Sequence, residues 1–304
     1  MKQIAGQSNG KAAFTIIELL TVMSIIILLM GLLAPGLGMA KRFAKQVAQK
    51  HQFKTIGEAL EAFSAEEEGY PASAALPAHT APSCTTGAHR LAEAVLGRDL
   101  QGFDPFSTWN ASADAAAPIY GRGTAVEVQA SLDRRRGPYL QLANVEAFQV
   151  APLYDPFPVG NIYVDGPGGN APAPVLTDVY RAKRVLVSGR SEKAGTPVLY
   201  YKADLSANIF DPADPANSIY NYYDNLPLLP LGHILDGPGT PHHIDAGYMD
   251  PITGQTGVQI FYDKITNPQI RPLRRPYNQD SYILISAGFD GVYGTADDVF
   301  NFMR

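Results

Sequence analysis

One carboxylate lies near the start of the most apolar stretch of the chain. Residues 14–33 read FTIIELLTVMSIIILLMGLL, and Glu18 is the only charged residue among them. Such a stretch is long enough to cross a bilayer as a helix, and a carboxylate inside it costs free energy unless it is paired. The pattern therefore predicts a membrane-spanning helix in which Glu18 has a functional partner.

A second group of carboxylates lies near the C-terminus, directly after an apolar segment predicted to be a strand. Asp290, Asp297 and Asp298 occur close together with Gly291 and Gly294. Ca²⁺ is bound by carboxylate and carbonyl oxygens, and glycine lets the backbone curl so that its carbonyls point inward. The spacing is not that of an EF-hand. Two interpretations stay open: a calcium site formed by the three aspartates, or a solvated acidic turn.

Other candidates for chemistry are weaker. His233, Asp236, His242, His243 and Asp245 lie in a region rich in glycine and proline, where they form either a transition-metal site or an exposed loop. The G-x-S-x-G pattern occurs only at residues 6–10, before the apolar stretch, and the chain contains no H-E-x-x-H motif. No nucleophile with a neighbouring base can therefore be assigned. We therefore expect a protein that is not an enzyme.

The residues before the apolar stretch form a short polar leader. Residues 1–13 contain two lysines and end on two alanines, and Phe14-Thr-Ile-Ile-Glu18 follows. This arrangement resembles the class III signal of type IV prepilins and type II secretion pseudopilins. The resemblance implies that a prepilin peptidase cuts between Ala13 and Phe14 and that the new Phe14 amine is methylated. Ala13 departs from the family, which usually has glycine there, and a plain signal anchor is the alternative.

The same resemblance implies how the chain works. The apolar helix stays in the subunit and builds the core of a filament, where Glu18 pairs with the Phe14 amine of the adjacent subunit. The C-terminal acidic loop is similar to that of major pseudopilins, in which calcium holds the end of the globular domain together.

The apolar pattern continues beyond the predicted span. Ala34-Pro35-Gly36 weakens a helix locally, but apolar residues soon recur at helical spacing, so we expect the helix to continue to Gly69-Tyr70-Pro71. If each residue advances 100° around the helix, the apolar residues form two stripes that lie roughly 120° apart. Two stripes predict two covered surfaces. The first stripe should face neighbouring helices or lipid, and the second should face the protein's own globular domain. The first is Met39, Phe43 and Val47; the second is Phe53, Ile56, Leu60 and Phe63.

The remaining sequence predicts an α+β fold. A long N-terminal helix, its first half transmembrane, packs on an antiparallel sheet in a pilin-like arrangement, with a large loop-rich insertion between helix and sheet. We expect a short helix over 89–96 and mostly loop over 98–180. A hairpin is predicted between 185–187 and 198–201, with further strands at 258–262 and 282–285. The predicted organisation is leader 1–13, transmembrane helix 14–33, stalk 34–69 and extracytoplasmic globular domain 70–304.

Charge is distributed unevenly along the chain. Residues 1–54 contain seven Lys/Arg and one acid, net +6, whereas residues 55–304 contain seventeen Lys/Arg and twenty-eight acids, net −11. An acidic domain argues against nucleic acid as the main partner. The positive-inside rule would place the basic stalk in the cytoplasm. The resemblance implies the opposite orientation, because the leader must meet a peptidase on the cytoplasmic side.

The sequence thus predicts a single-pass protein of the bacterial inner membrane that becomes part of a filament. Its expected function is that of a structural subunit of a type II secretion pseudopilus or type IV pilus-like filament. Its expected partners are the membrane, a prepilin peptidase and other pilin-like subunits. The alternative is a membrane-anchored extracytoplasmic binding protein or enzyme that carries a prepilin-type leader.

Overall fold

The structure is a computed structural model that describes residues 15–74, 85–109, 119–121, 123–142, 145–159, 162, 173–187 and 189–302, with side chains omitted at 32–35. It has two compact units, residues 1–44 and residues 45–304, called here the N-terminal unit and the C-terminal unit. The helices are α1 Ile16–Glu67, α2 Gly87–Leu96, α3 Ala125–Asp133, α4 Val150–Tyr154 and α5 Gly257–Ile265, with 3₁₀ helices at Pro215–Asn217 and Tyr222–Leu231. The strands are β1 Glu146–Phe148, β2 Val175–Thr177, β3 Lys183–Val187, β4 Arg190–Ala194, β5 Leu199–Lys202, β6 Tyr282–Ser286 and β7 Val299–Phe300.

Helix α1 is the longest element. It is helical through Pro35 and ends at Glu67, so the predicted continuation beyond the apolar stretch and the predicted stop are both confirmed. The stop has a local cause. Glu68 has a positive φ of 58°, and Pro71, three residues later, has no backbone N–H with which to continue a helix.

The centre of the C-terminal unit is a three-stranded antiparallel sheet in the order β5–β6–β7. All residues of β6 and β7 are buried, as are all but the last of β5. Successive side chains point to opposite faces, so the sheet separates two apolar clusters. The cluster shared with α1 and α2 includes Phe53, Ile56, Leu60, Leu91, Tyr200 and Leu284. The cluster on the other face includes Tyr201, Tyr222, Phe261, Ile283 and Ile285.

Helix α1 approaches the central sheet closely at a glycine. A Cβ atom placed on Gly57 would lie 3.0 Å from the Tyr282 hydroxyl oxygen. A side chain at position 57 would therefore require the end of the Tyr282 side chain to shift. The predicted long N-terminal helix and antiparallel strands are both present, residues of α1 share an apolar cluster with the sheet, and the fold is a mixed α+β fold.

Two smaller antiparallel sheets flank the central sheet. Strands β1 and β2 form one pair, and β3 and β4 form the other. Thr177, at the end of β2, makes an isolated bridge to Pro197, just before β5. The β1–β2 pair is thereby attached to the start of the central sheet.

Two strand predictions were wrong. Residues 185–187 pair with β4 rather than with 198–201, and β5 pairs with β6. Val187 pairs with Arg190, so β3 and β4 already form a hairpin, which leaves β5 free to join a distant strand. The predicted strand 258–262 lies in helix α5, where Thr256 and Gln259 form a capping box. The T-x-x-Q pattern was present in the sequence and favours a helix start.

The region 98–180, predicted as mostly loop, also contains strands β1 and β2 and helices α3 and α4. Helix α3 is the longest of these elements. It begins with a capping box between Thr124 and Glu127. The helix predicted over 89–96 is confirmed as α2.

Candidate functional site

The first part of α1 is apolar and uncovered by its own chain. Its large hydrophobic side chains between Ile16 and Met30 are 45–83% exposed. An 18-residue window of the helix has a mean hydropathy of 2.7, and none of that window is buried. Such a surface needs an apolar surrounding. Length and composition are therefore consistent with a single-pass membrane protein.

Glu18 takes part in a capping box at the start of this helix. Its Oε2 atom accepts hydrogen bonds from the Thr15 backbone N–H at 2.9 Å and from the Thr15 hydroxyl at 2.7 Å. The Thr15 Oγ1 atom in turn accepts from the Glu18 N–H at 3.3 Å. These reciprocal bonds satisfy backbone donors that a helix start otherwise leaves unpaired. Sequence analysis missed this partner, although T-x-x-E is a recognised pattern for it.

Other polar side chains in the apolar part of α1 are satisfied within the helix. The Thr21 hydroxyl donates to the Glu18 carbonyl at 3.0 Å, and the Ser24 hydroxyl donates to the Leu20 carbonyl at 2.8 Å. Hydroxyls bonded in this way enter lipid at a lower cost. The predicted cleavage site, Ala13 and Phe14, lies outside the residues that the structure describes.

The second apolar stripe of α1 is buried as predicted. Phe53, Ile56, Leu60 and Phe63 are each no more than 3% exposed. The first stripe, Met39, Phe43 and Val47, is at least 50% exposed.

Two buried amides mark the change between the stripes. The Gln52 side chain donates to the Thr177 carbonyl at 2.9 Å, and the Gln49 side chain accepts from the Val179 N–H at 3.0 Å. The Gln49 amide also donates to Gln52 at 2.8 Å. These two glutamine side chains therefore attach α1 to the backbone at and just after the end of β2. Their residue type alone did not indicate this role.

In the C-terminal acidic loop, two aspartates bond to the backbone of the loop. The Asp297 Oδ2 atom accepts from the N–H groups of Phe289 at 2.7 Å and Asp290 at 3.0 Å. The Asp290 Oδ1 atom accepts from the Val292 N–H at 2.8 Å. Burial and the neighbouring Asp297 raise the pKa of Asp290. Burial would also raise the pKa of Asp297, but hydrogen bonds from Thr295 and the loop amides outweigh it and lower that pKa.

Asp298 is the most buried of the three aspartates. Its Oδ2 atom accepts from the Gly294 N–H at 2.8 Å, while its Oδ1 atom is buried and has no hydrogen-bond partner among the described residues. Burial raises the pKa of Asp298 to about 8, although Lys264 lies 4.0 Å from its Oδ2.

A carboxylate oxygen without a hydrogen-bond partner can act as a ligand of a hard cation, so the side chain of Asp298 is of a type that suits Ca²⁺. In the part of the chain that the structure describes, however, no three His, Cys, Asp or Glu side chains are grouped to hold a metal. Calcium binding by Asp290, Asp297 and Asp298 stays a prediction.

The three histidines between residues 233 and 243 each contact another side chain or backbone group of the protein. The His233 Nδ1 atom lies 3.0 Å from Asp236 Oδ2. His242 is fully buried, accepts the Tyr293 N–H at 3.2 Å and has its pKa lowered to about 3 by burial. His243 stacks on Tyr248 with ring centroids 4.4 Å apart.

Another buried carboxylate, which sequence analysis did not single out, bonds the segment after β2 to the segment before β5 and to the end of β6. Asp178 accepts hydrogen bonds from the N–H groups of Tyr180 and Thr196 and from the Ser286 hydroxyl, at 3.0–3.2 Å. Burial raises its pKa to about 7. Next to it, the Lys45 ammonium donates to the Tyr180 carbonyl at 2.5 Å and lies 6.0 Å from the Phe289 ring centroid.

The C-terminal unit also contains a cleft of about 500 Å³. The Ser73 hydroxyl donates to Asp224 at its inner end and accepts from the Lys202 N–H at 2.9 Å. Burial raises the pKa of Asp224 to about 7. Among the residues that the structure describes, those lining the cleft include serines and aspartates but no histidine and no cysteine.

Comparison with protein-family models, with curated proteins and with solved structures found no match to this chain.

Proposed function

We propose that this protein is a structural subunit of a filament of the type II secretion pseudopilus or type IV pilus-like class. It is anchored in the bacterial inner membrane, with residues 70–304 outside the cytoplasm. A prepilin peptidase cuts it before Phe14, and it assembles with other pilin-like subunits through α1. The observation that carries the proposal is the apolar surface of α1 from Ile16 to Met30, whose large hydrophobic side chains are 45–83% exposed.

An exposed apolar surface of this kind supports the proposal because it can be buried in two ways, by lipid or by the helices of other subunits. In the membrane, lipid tails cover it. In a filament, packed helices replace the lipid, and the single carboxylate then needs a positive partner because a lone charge in low dielectric is costly. Glu18 pairs with the Phe14 amine of the adjacent subunit in this proposal.

The capping box gives a competing role for Glu18, and two matched variants separate the roles. Glu18→Gln keeps a side chain that can cap but removes the charge, whereas Thr15→Ala removes the capping hydroxyl but keeps the charge. If the charge pairs between subunits, Glu18→Gln abolishes filament formation. Thr15→Ala should then assemble, at a cost of about 1 kcal/mol in helix stability. Filaments sheared from cells or assembled from purified protein give the measurement.

Glu18→Ala and Glu18→Val should behave like Glu18→Gln while still inserting into the membrane and being cleaved. Normal assembly of Glu18→Gln with impaired assembly of Thr15→Ala would assign Glu18 to capping alone. Normal assembly of both variants would refute an assembly role.

Processing provides a separate test. The mature chain should begin at Phe14 and carry a methylated amine, which mass spectrometry of membrane-extracted protein detects. Ala13→Leu should block the cut because a bulky side chain replaces the small one before the scissile bond. A mature chain that begins at Met1, or after a cut beyond Leu33, would contradict the proposal.

The alternative is a membrane-anchored binding protein whose function lies in the C-terminal unit. The cleft beside Asp224 and Ser73 favours it, because a cavity of about 500 Å³ has the size of a small-ligand site. In that case Glu18→Gln would leave ligand binding intact, and Asp224→Asn would abolish ligand binding.

A further inference from the structure

The β3–β4 hairpin is a basic element in an acidic domain. Residues 181–194 contain five Lys/Arg and one acid, whereas residues 55–304 as a whole contain seventeen Lys/Arg and twenty-eight acids. Two of the five cations are used by the protein itself. Arg181 pairs with Glu146 at 2.7 Å, and the Lys183 ammonium donates to the Asp155 carbonyl at 2.5 Å.

The strand register places the two faces of the hairpin in different surroundings. Val185 and Ala194, on one face, are buried in the core. On the other face Arg184 lies directly opposite Lys193, and Leu186 lies opposite Ser191. We call these four residues the outer face of the hairpin. All four are exposed, and the Leu186 side chain is 70% exposed.

The outer face carries an electrostatic cost within the protein. Like charges directly opposite in an antiparallel pair have Cβ atoms about 5 Å apart and destabilise the sheet. The side chains of Arg184 and Lys193 make no hydrogen bond or ion pair with the part of the chain that the structure describes. The one acid of the hairpin, Glu192, is paired with Val185 and so belongs to the opposite face. An external anion would relieve this repulsion.

The position of the hairpin along the chain limits how far it can lie from the membrane. The Lys45 ammonium bonds to the Tyr180 carbonyl, and β3 begins three residues later at Lys183. Only eleven residues lie between Leu33, the end of the apolar stretch, and Lys45, and even a fully extended chain of that length spans about 40 Å at most. The base of the hairpin is therefore tethered to the membrane anchor by a short length of chain.

We propose that the outer face of the hairpin docks on the anionic head groups of the membrane in which the chain is anchored. Arg184 and Lys193 bind lipid phosphates, and Leu186 enters the interface between head groups and acyl chains. Cations next to an exposed apolar side chain are the composition of an interfacial membrane contact. The proposal requires only the membrane anchor and does not depend on filament assembly.

The test uses the full chain in vesicles at a protein density too low for subunits to meet. Ser191→Cys, in a Cys84→Ser background, carries a fluorophore on the outer face. Lipids with a spin label on the head group quench the fluorophore if it docks. We expect strong quenching in vesicles that contain phosphatidylglycerol, and weak quenching in pure phosphatidylcholine or at high salt.

Charge variants identify the residues responsible. Each of Arg184→Gln and Lys193→Gln should lower the ratio of docked to free hairpin about fivefold, the contribution expected of one cation at an anionic surface. Arg184→Lys should retain docking. The control is Arg271→Gln, which removes an exposed cation elsewhere in the C-terminal unit and should change nothing. Thermal unfolding should show that both hairpin variants fold at least as stably as the wild type, because a like-charge repulsion is removed.

Equal quenching in neutral and anionic vesicles would overturn the proposal, as would unchanged quenching in the Arg184→Gln/Lys193→Gln double variant. Fluorophore burial that depends on protein density rather than on phosphatidylglycerol would also overturn it, and would identify a second copy of the chain as the partner.

Discussion

The two ends of helix α1 have the same kind of side chains and opposite surroundings. Between Ile16 and Met30 the large apolar residues are exposed, whereas Ile56 and Leu60, later in the same helix, are completely buried. The difference is made by what the rest of the chain places beside them. Strands β5 and β6 and helix α2 cover the later residues, and the earlier ones need lipid or another subunit. Apolar periodicity therefore predicts that a helix face is covered, but not by which molecule.

The largest expected effect comes from removing side chains on the covered part of α1. Leu60→Ala should lower the free energy of unfolding of the C-terminal unit by about 2–5 kcal/mol, because it leaves a cavity in a packed core. Val47→Ala is the matched control on the same helix. Its side chain is half exposed, so the expected change is within about 0.5 kcal/mol.

Denaturant unfolding of the full chain in detergent, followed by near-ultraviolet circular dichroism, measures this difference. Similar losses from both variants would show that Val47 is covered as well, and the comparison between the two stripes would fail.

A second prediction concerns calcium in the C-terminal unit. If the acidic loop binds Ca²⁺ only when folded, a hundredfold excess over Kd stabilises the protein by about 2.7 kcal/mol. Melting of the full chain in millimolar calcium should then occur at a higher temperature than in chelator. Asp290→Ala and Asp297→Ala should each abolish the shift.

Asp236→Ala is the control for the calcium experiment, because Asp236 lies outside the loop and contacts His233. Equal melting temperatures in calcium and chelator would favour the acidic turn without metal. A shift that survives both loop variants would assign the cation to another place, and the region of His242 and Asp245 would be examined next.

A third prediction concerns pH. Burial raises the pKa of Asp224 from 3.8 to about 7, so the folded state holds a proton that the unfolded state releases. Stability from this group is therefore fully present below about pH 4 and falls as pH rises to about 7, by up to about 1.4 kcal/mol per pH unit. Asp224→Asn mimics the protonated form and should remove this slope.

The measurement is the free energy of unfolding of wild type and Asp224→Asn at intervals from pH 4 to pH 8. Asp204→Asn is the control, because hydrogen bonds from Ser206 lower the pKa of Asp204 from 3.8. Asp204 therefore titrates below this pH range, and its removal should leave the slope nearly unchanged. Identical slopes in wild type and Asp224→Asn would mean that Asp224 stays ionised in the folded protein.

The sequence by itself determined the long helix, its stop before Pro71 and the division of its apolar residues into two stripes. It also determined helix α2 and strand β6. These features depend on local rules: residue spacing, glycine and proline at element ends, and burial of contiguous apolar residues. The starts of α5 and α1 obey local rules as well, because the T-x-x-Q pattern at Thr256 and the T-x-x-E pattern at Thr15 both indicate a helix start.

Only the tertiary structure decided which strands pair and which polar residues become buried. Strand β5 joins β6, more than eighty positions away in the chain, because each sheet face can then be covered by a separate apolar cluster. Gln49, Gln52 and Asp178 were indistinguishable by type from surface residues, yet the side chain of each hydrogen-bonds to the backbone of a segment distant from it in the sequence. Pairing and polar burial depend on contacts between distant parts of the chain, and residue spacing within one segment carries no information about them.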